Sequence, residues 1–230
     1  MFREACRQNS GGIYGTLSSS QLGNKKTWCN GTGFMIAPGM LAMAAHCIHV
    51  ENNSDNPTHQ RFDVICASDI GQPLESAFLI GEDCIRDVAL LRIDNPRSTK
   101  SLYLDSDFVD KGTACGSIGF PLSTTEFLST GTEFNVVERF QSAYISANIN
   151  ETLSSGRVLT TYETNNLMYG GSSGCPGFLV NGNIFGMLVG TRINTTTING
   201  LQSTEKVAIS LWVPSIDIIN LAKKSGIKLD

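Results

Sequence analysis

The sequence predicts a mostly β protein that is closed by one short C-terminal helix. Three observations favour this class. The 230 residues include 23 glycines, as many tight turns require; the apolar runs are short and bounded by turn residues; and a single amphipathic helical pattern lies near the end. Hydrophobic residues make up 41% and charged residues 17%, which provides a sizeable core and argues against extensive disorder.

Short strands are expected along most of the chain. Residues 62–66 alternate apolar side chains with the polar Asp63, a pattern typical of a half-buried strand. Residues 88–91 are apolar throughout and predict a fully buried strand, and Asn181-Gly182 between two apolar runs predicts a hairpin turn. Four further runs have strand-like composition: 114–120, 136–145, 158–162 and 207–213.

One helix is expected, over residues 215–225. Ser215 is a good N-cap, Lys223-Lys224 suit the negative end of the helix dipole, and Gly226 suits the position after the last turn. The least apolar connecting stretch, residues 95–110, contains Pro96 and several charges. We therefore predict two β halves, residues 1–105 and 106–230, with the helix in the second.

Several function classes are disfavoured by composition. A net charge of −4 with only two basic doublets argues against nucleic-acid binding. The apolar stretch 33–50 is interrupted by Pro38, Gly39 and two histidines, which argues against membrane insertion. No apolar secretory segment follows Met1, so the compartment is undetermined; an extracytoplasmic location is weakly favoured if Met1 is an added start.

The cysteines and histidines give no metal motif. There are seven cysteines and three histidines, with no C-x-x-C and no H-E-x-x-H pattern. We therefore expect no structural zinc site and no cofactor. Because seven is odd, at least one thiol stays free unless it pairs between chains; buried reduced cysteines are an equally open interpretation.

Two segments carry candidate chemistry, residues 44–47 (Ala-Ala-His-Cys) and 170–174 (Gly-Gly-Ser-Ser-Gly). A serine in a glycine-rich turn is approachable, as a nucleophile must be, although such a cluster also fits a polar hairpin loop. The last histidine, His59, precedes the serines, which excludes the Ser-Asp-His order of α/β-hydrolases. No aspartate precedes His46, which excludes the subtilisin order.

The remaining order is His-Asp-Ser, in which the aspartate lies between the histidine and the serine, here between His46 and Ser173. Asp87 is the best-placed aspartate because it directly precedes the apolar run 88–91, where a carboxylate can be partly buried yet face a cleft.

At this point the chain resembles the chymotrypsin-fold (trypsin-like) serine proteases, within them the HtrA-like and bacterial trypsin-like branch. The motifs that carry the resemblance occur in the family's order: Gly31-Thr-Gly-Phe-Met-Ile, Met43-Ala-Ala-His46-Cys47, Asp87-Val-Ala-Leu-Leu, Ile118-Gly119-Phe120-Pro121, Gly171-Ser172-Ser173-Gly174-Cys175-Pro176 and Val213-Pro214-Ser215.

The resemblance implies two six-stranded antiparallel β-barrels with the catalytic groups in the cleft between them. His46 would be the general base and Asp87 its orienting carboxylate, both from the first barrel, and Ser173 the nucleophile, from the second. The backbone amides of Gly171 and Ser173 would form the oxyanion hole. A Cys29–Cys47 disulfide is also implied by the family.

The sequence departs from the family at two positions beside the nucleophile. Ser172 replaces the aspartate that pairs with a freed N-terminus in zymogen-activated trypsins, so we expect no activation by insertion of an N-terminus. Cys175 replaces a glycine, and we interpret it as a packed side chain rather than a nucleophile.

The family resemblance also implies the substrate-binding residues, namely Leu167, Met168, Leu188, Val189 and Gly190. Leu167, six residues before the nucleophile, supplies no carboxylate for a Lys or Arg side chain, so an apolar pocket is expected. The partners implied are polypeptide substrates, and the oligomeric state, monomer or trimer, stays open. We expect no peptide-binding module after the helix. An inactive protease-fold binding module and a non-proteolytic esterase are the alternative functions.

Overall fold

The computed structural model describes residues 1–69, 71–129, 131–198 and 201–229, and it contains two closed six-stranded barrels. The strands of the first are β1 to β6: Ile13–Leu22, Lys25–Ala37, Met40–Ala44, Arg61–Cys66, Glu75–Asp83 and Val88–Ile93. They close in the order β1-β2-β3-β6-β5-β4, and every pairing is antiparallel.

The second half contains eight strands, β7 to β14: Ala114–Gly119, Thr124–Leu128, Gly131–Asn135, Arg139–Thr152, Val158–Thr164, Pro176–Leu179, Ile184–Ile198 and Leu201–Pro214. Six of them close in the order β10-β11-β14-β13-β12-β7, while β8 and β9 form a separate hairpin. The C-terminal helix, α2, spans Ser215–Lys224. The predicted double barrel with a closing helix is therefore confirmed.

The core follows the strand predictions, with one exception. Residues 88–91 are fully buried in β6, as expected for a run that is apolar on both faces. In β4, however, Asp63 is 4% exposed instead of facing solvent, so the half-buried pattern was a wrong interpretation. The Arg61 guanidinium donates to the Asp63 carboxylate over 2.6 Å, which offsets the burial of its charge.

A second helix, α1 (Arg3–Asn9), contradicts the expectation of a single helix. Seven residues without a side-chain N-cap give no recognisable helical signal, so its stability comes from tertiary contacts. The Phe2 ring lies 5.7 Å from that of Phe140, and the Asn9 amide donates to the Gly182 carbonyl over 3.0 Å. Both partners belong to the second barrel, so the start of the chain links the two halves.

The connection between the barrels runs from the end of β6 to the start of β7. Leu102 N–H still donates to Met35 of the first barrel, whereas Tyr103 and Asp105 already hydrogen-bond to Ile184 of the second. The predicted division at 105/106 lies just beyond this crossing and stays a prediction. No described helix has the length and apolar character that crossing a membrane would need.

Candidate active site

The predicted catalytic residues meet at the cleft between the barrels. His46 lies in the 3₁₀ turn Ala45–Ile48, directly after β3, and Asp87 directly precedes β6. Because β3 and β6 are neighbouring strands, their ends bring these two residues together. Ser173 lies in the turn before β12, and it lines the same cleft of about 160 Å³ as His46.

Asp87 holds His46 through both carboxylate oxygens. Oδ2 lies 2.6 Å from the imidazole Nδ1, and Oδ1 accepts from the His46 backbone N–H over 2.6 Å. The Asp87 carbonyl accepts from Ala45 N–H over 3.0 Å, and the Asp87 φ of +55° is in the left-handed region. Since an ionised carboxylate can only accept, Nδ1 carries a hydrogen, and in neutral His46 the other nitrogen, Nε2, offers its lone pair to the cleft.

Two opposed influences act on the pKa of His46. Burial is the largest, and it lowers the pKa because it disfavours the imidazolium. The hydrogen bond and charge of Asp87, with a smaller contribution from Cys29, raise it, and the net result is a pKa above the ordinary histidine value. His46 is therefore equipped to accept a proton and to be stabilised as a cation.

A buried arginine anchors the loop that carries Asp87. Arg86, 4% exposed, donates through Nε to the Asp217 carboxylate over 2.8 Å and through Nη2 to the Thr160 carbonyl over 2.5 Å. Asp217 lies in the first turn of α2 and Thr160 in β11, so the contacts tie this first-barrel loop to the second half. Sequence reasoning missed Arg86, because nothing in a local pattern identifies partners 74 and 131 positions away.

The Ser173 backbone is fixed by both barrels. Its carbonyl accepts from Thr32 N–H of β2 over 2.8 Å, while the next amide, Gly174 N–H, donates to Leu188 of β13 over 2.8 Å. Among the hydrogen bonds of the described residues, none joins Ser173 Oγ to His46 Nε2. A nucleophile–base contact is commonly loose before substrate binds.

Two backbone amides beside Ser173 have no acceptor among the described residues, namely those of Gly171 and Ser173 itself. The Gly170 carbonyl accepts from Leu122 N–H over 2.8 Å. Because C=O and N–H point in opposite directions across one peptide plane, this bond turns the Gly171 N–H away from Leu122. The two free donors suit an oxygen that develops negative charge.

Gly171 is required by its conformation and by its neighbours. Its φ is +90°, and a Cβ there would lie 2.6 Å from the Phe120 carbonyl oxygen. A side chain would therefore displace the loop that presents the amide.

The two departures from the family are both buried. Ser172 is 1% exposed, and its hydroxyl has no hydrogen-bond partner among the described residues. Cys175 is fully buried, and burial raises its pKa far above the usual thiol value, which opposes formation of the nucleophilic thiolate.

The disulfide implied by the family resemblance is not formed. All seven cysteines are free thiols, and those of Cys29 and Cys47 contact each other. The hydrogen bond with Cys29 and burial raise the pKa of Cys47, whereas the same hydrogen bond lowers the pKa of Cys29.

The cleft brings together most of the predicted substrate-binding residues. Met168, Leu188, Val189 and Gly190 line it, whereas Leu167 does not, and a role of Leu167 in substrate binding stays a prediction. The lining residues that sequence reasoning missed are Tyr169, Gly170, Thr191 and Lys206. Lys206 of β14 lies opposite Ile193 of β13, and this pairing between two strands is not visible in the local sequence.

The arrangement therefore combines an oriented base, an approachable hydroxyl and paired amide donors. A family model described as the trypsin-like peptidase domain matches residues 31–187, well over half of the chain. The chain is also similar to a solved structure described as the active form of the Rv3671c protease from M. tuberculosis. The TM-score is 0.67 and the identity 17%, over 97% of this chain and 85% of the other. No curated protein matches significantly. The chain thus belongs to the trypsin-like peptidase family and is a serine protease hydrolase with the chymotrypsin fold.

Proposed function

We propose that this protein is an endopeptidase that cleaves polypeptides through an acyl-enzyme on Ser173. The observation that carries the proposal is the double hold of Asp87 on His46, at 2.6 Å to Nδ1 and 2.6 Å to the backbone N–H. This hold keeps the Nε2 lone pair on the cleft side, where the Ser173 hydroxyl can deliver its proton.

In the first half of the reaction, Ser173 Oγ bonds to the substrate carbonyl carbon while its proton passes to His46 Nε2. The carbonyl oxygen becomes an anion that accepts hydrogen bonds from the amides of Gly171 and Ser173. The carbon–nitrogen bond then breaks, and the imidazolium returns its proton to the leaving amine. Asp87 stays ionised and stabilises the imidazolium throughout.

In the second half of the reaction, water hydrolyses the acyl-enzyme with the help of the same groups. It loses a proton to His46 Nε2 as its oxygen attacks the acyl carbon, and the proton then passes to Ser173 Oγ as the ester bond breaks. The balance is one water consumed for each peptide bond hydrolysed. Loss of one oxyanion donor typically costs about 3 kcal/mol of transition-state stabilisation.

The side chain before the cleaved bond is proposed to be apolar. Met168, Leu188 and Val189 supply the walls of the cleft, and its volume of about 160 Å³ suits a small or medium side chain. Lys206 lines the same cleft, and its ammonium opposes a Lys or Arg side chain of the substrate. A Cβ at Gly190 would meet no atom within 4 Å, so its strand is open to an extended substrate backbone.

A fluorophosphonate probe tests the nucleophile. We expect labelling of the wild-type chain, no labelling of Ser173→Ala, and unchanged labelling of the matched variant Cys175→Ala. Absence of labelling in the folded wild-type chain would favour an inactive binding module, and loss in Cys175→Ala would assign the cysteine instead.

Substrate class is tested by profiling a peptide library and by comparing peptide with ester turnover. Cleavage after apolar residues supports the proposal. Turnover of esters alone would indicate an esterase, and a preference for Lys, Arg or Glu before the cleaved bond would overturn the apolar pocket.

A further inference from the structure

A second cluster of reactive side chains lies outside the cleft, formed by His49, Glu82 and Cys84. A nitrogen of His49, a carboxylate oxygen of Glu82 and the sulfur of Cys84 all lie within 4.8 Å of one another. We propose that these three residues bind a divalent transition-metal ion of the Zn²⁺ class. The site is independent of the proposed peptidase chemistry, because none of the three residues takes part in it.

His49 is held in the orientation that a metal ligand needs. Its side chain is only 5% exposed, and its Nδ1 lies 2.7 Å from the Asn56 backbone carbonyl. A carbonyl can only accept, so Nδ1 carries the hydrogen. In neutral His49 the other nitrogen, Nε2, therefore holds a free lone pair. A second hydrogen bond of this kind commonly fixes the tautomer of metal-binding histidines.

The group that faces this lone pair is a carboxylate. Glu82 Oε2 lies 2.8 Å from Nε2. Two lone pairs at this distance repel each other, so a positive centre must lie between or beside them. A second proton on His49 satisfies this pair, and a metal ion satisfies it equally.

Cys84 supplies the third donor of the cluster. Its thiol is exposed and hydrogen-bonds to Glu82, so the sulfur lies against the same carboxylate that faces His49. The carboxylates of Glu82, Asp83 and Asp87 surround this thiol with negative charge. That negative potential attracts a cation, and a bound metal deprotonates a coordinating thiol.

The donor set selects the class of metal. Imidazole nitrogen, carboxylate oxygen and thiolate sulfur suit Zn²⁺ and its neighbours, whereas Mg²⁺ and Ca²⁺ take oxygen ligands. With metal–ligand bonds of about 2.0–2.3 Å, tetrahedral ligands lie about 3–4 Å apart, a separation that the cluster reaches with small side-chain adjustments. Three protein ligands leave one position for water, on the exposed side of Cys84.

The cluster joins two segments that the proposed active site uses. His49 lies three residues after His46, at the end of the 3₁₀ turn, and Cys84 lies three residues before Asp87, at the turn after β5. A metal at this place would therefore cross-link the supports of the base and of its carboxylate. Sequence reasoning expected no metal because the ligands, at positions 49, 82 and 84, match no common zinc spacing.

Cobalt(II) is the probe for this site in the 230-residue chain. We expect one equivalent of Co²⁺ to bind, with a near-ultraviolet thiolate-to-cobalt absorption band, and Zn²⁺ to displace it. Cys84→Ser should abolish the band and weaken Co²⁺ binding by about tenfold or more. Glu82→Gln should weaken Co²⁺ binding by a similar factor. The matched control is Cys6→Ser, which removes the other thiol that is not buried and should change neither readout.

Alkylation gives a second readout that needs no variant. Iodoacetamide should modify Cys84 about tenfold more slowly when Zn²⁺ is present, as measured by mass spectrometry of its peptide, whereas the rate at Cys6 should not change. The proposal is overturned if the wild-type chain shows no thiolate band at a large excess of Co²⁺, if the band persists in Cys84→Ser, or if Zn²⁺ leaves alkylation of Cys84 unaltered. None of these outcomes depends on peptidase activity.

Discussion

The hydroxyl of Thr32 donates a hydrogen bond over 2.8 Å to the carbonyl of Gly171, which lies 139 positions later in the other barrel. The same oxygen accepts from Phe120 N–H over 3.0 Å, and the Thr32 N–H donates to Ser173 over 2.8 Å. Thr32 is fully buried. One residue of the first barrel thus positions both backbone segments of the proposed oxyanion hole.

Thr32→Val keeps the shape of the side chain but removes its hydrogen bonds to Gly171 and Phe120. An unpaired buried polar group costs about 1–3 kcal/mol, so we expect kcat to fall about tenfold to a hundredfold while KM changes little. Steady-state kinetics on a peptide ester measures the effect. Thr32→Ser retains the hydroxyl and should stay near wild type; equal losses in the two variants would show that the methyl group matters instead.

The pKa of His46 predicts the pH dependence of activity. The mechanism needs neutral His46, so kcat/KM should rise with pH along a limb that lies above the free histidine value of about 6.5. Asp87→Asn removes the charge that raises the pKa but leaves the burial that lowers it. We expect the limb to move to lower pH and the plateau to fall roughly 10⁴-fold.

The interaction between His46 and Asp87 makes activity rise with pH, but its contribution to the stability of the fold falls with pH. Because the folded-state pKa of His46 is raised, its interaction with Asp87 stabilises the fold fully below the unfolded histidine pKa, and this contribution is lost as pH rises through the folded pKa. The difference in unfolding free energy between wild type and Asp87→Asn should therefore shrink as pH rises. A difference that grows with pH would contradict the raised pKa.

Gly171→Ala should remove activity through the backbone. The new Cβ would lie 2.6 Å from the Phe120 carbonyl oxygen at a φ of +90°, so the loop must shift and carry the Gly171 amide with it. We expect kcat to fall about 10²–10³-fold, the typical effect of one lost oxyanion donor.

The neighbouring Gly170 is the control for stability. A Cβ at Gly170 meets no atom within 4 Å, and its φ is not positive. Thermal unfolding should therefore distinguish the two variants, with Gly171→Ala less stable by about 1–3 kcal/mol and Gly170→Ala close to wild type. Equal midpoints would show that the loop at Gly171 accommodates a methyl group.

Arg86 should be among the most sensitive positions for stability. Arg86→Met leaves the Asp217 carboxylate, whose side chain is 13% exposed, without its 2.7 Å partner and with only the more exposed Arg157, 3.5 Å away, as a counter-charge. Removing one member of a buried pair typically costs about 3–5 kcal/mol, which chemical denaturation can measure. The double variant Arg86→Met/Asp217→Leu should recover part of the loss because it removes the poorly compensated carboxylate. The anchoring role is wrong if the single and double variants are equally unstable.

The charge at position 206 should influence whether the enzyme cleaves after basic or after apolar substrate residues. In Lys206→Glu, the carboxylate can pair with a basic substrate side chain, and we expect cleavage after Lys and Arg to improve about tenfold or more relative to apolar residues. Lys206→Gln removes the charge without reversing it and should give an intermediate profile. Unchanged library profiles in both variants would place Lys206 outside the substrate path.

Local chemistry along the chain was enough to predict the class, most strands, the C-terminal helix and the members of the proposed triad. The strands at 88–91 and the helix at Ser215–Lys224 have patterns that burial and capping impose on neighbouring residues. The order of His46, Asp87 and Ser173 excluded other triads without any coordinates.

Only the tertiary structure decided which residues support that triad. Thr32 and Arg86 form hydrogen bonds with residues 139 and 131 positions away along the chain. Lys206 lines the cleft because of the pairing between β13 and β14, and helix α1 is stable because it packs on the second barrel. Leu167 lies outside the lining of the cleft, and its neighbour Met168 lies within it, because spacing along a loop does not determine which side chain faces a cleft. Local sequence patterns predict whether a residue is buried, whereas contacts between the barrels depend on how the two closed sheets pack against each other.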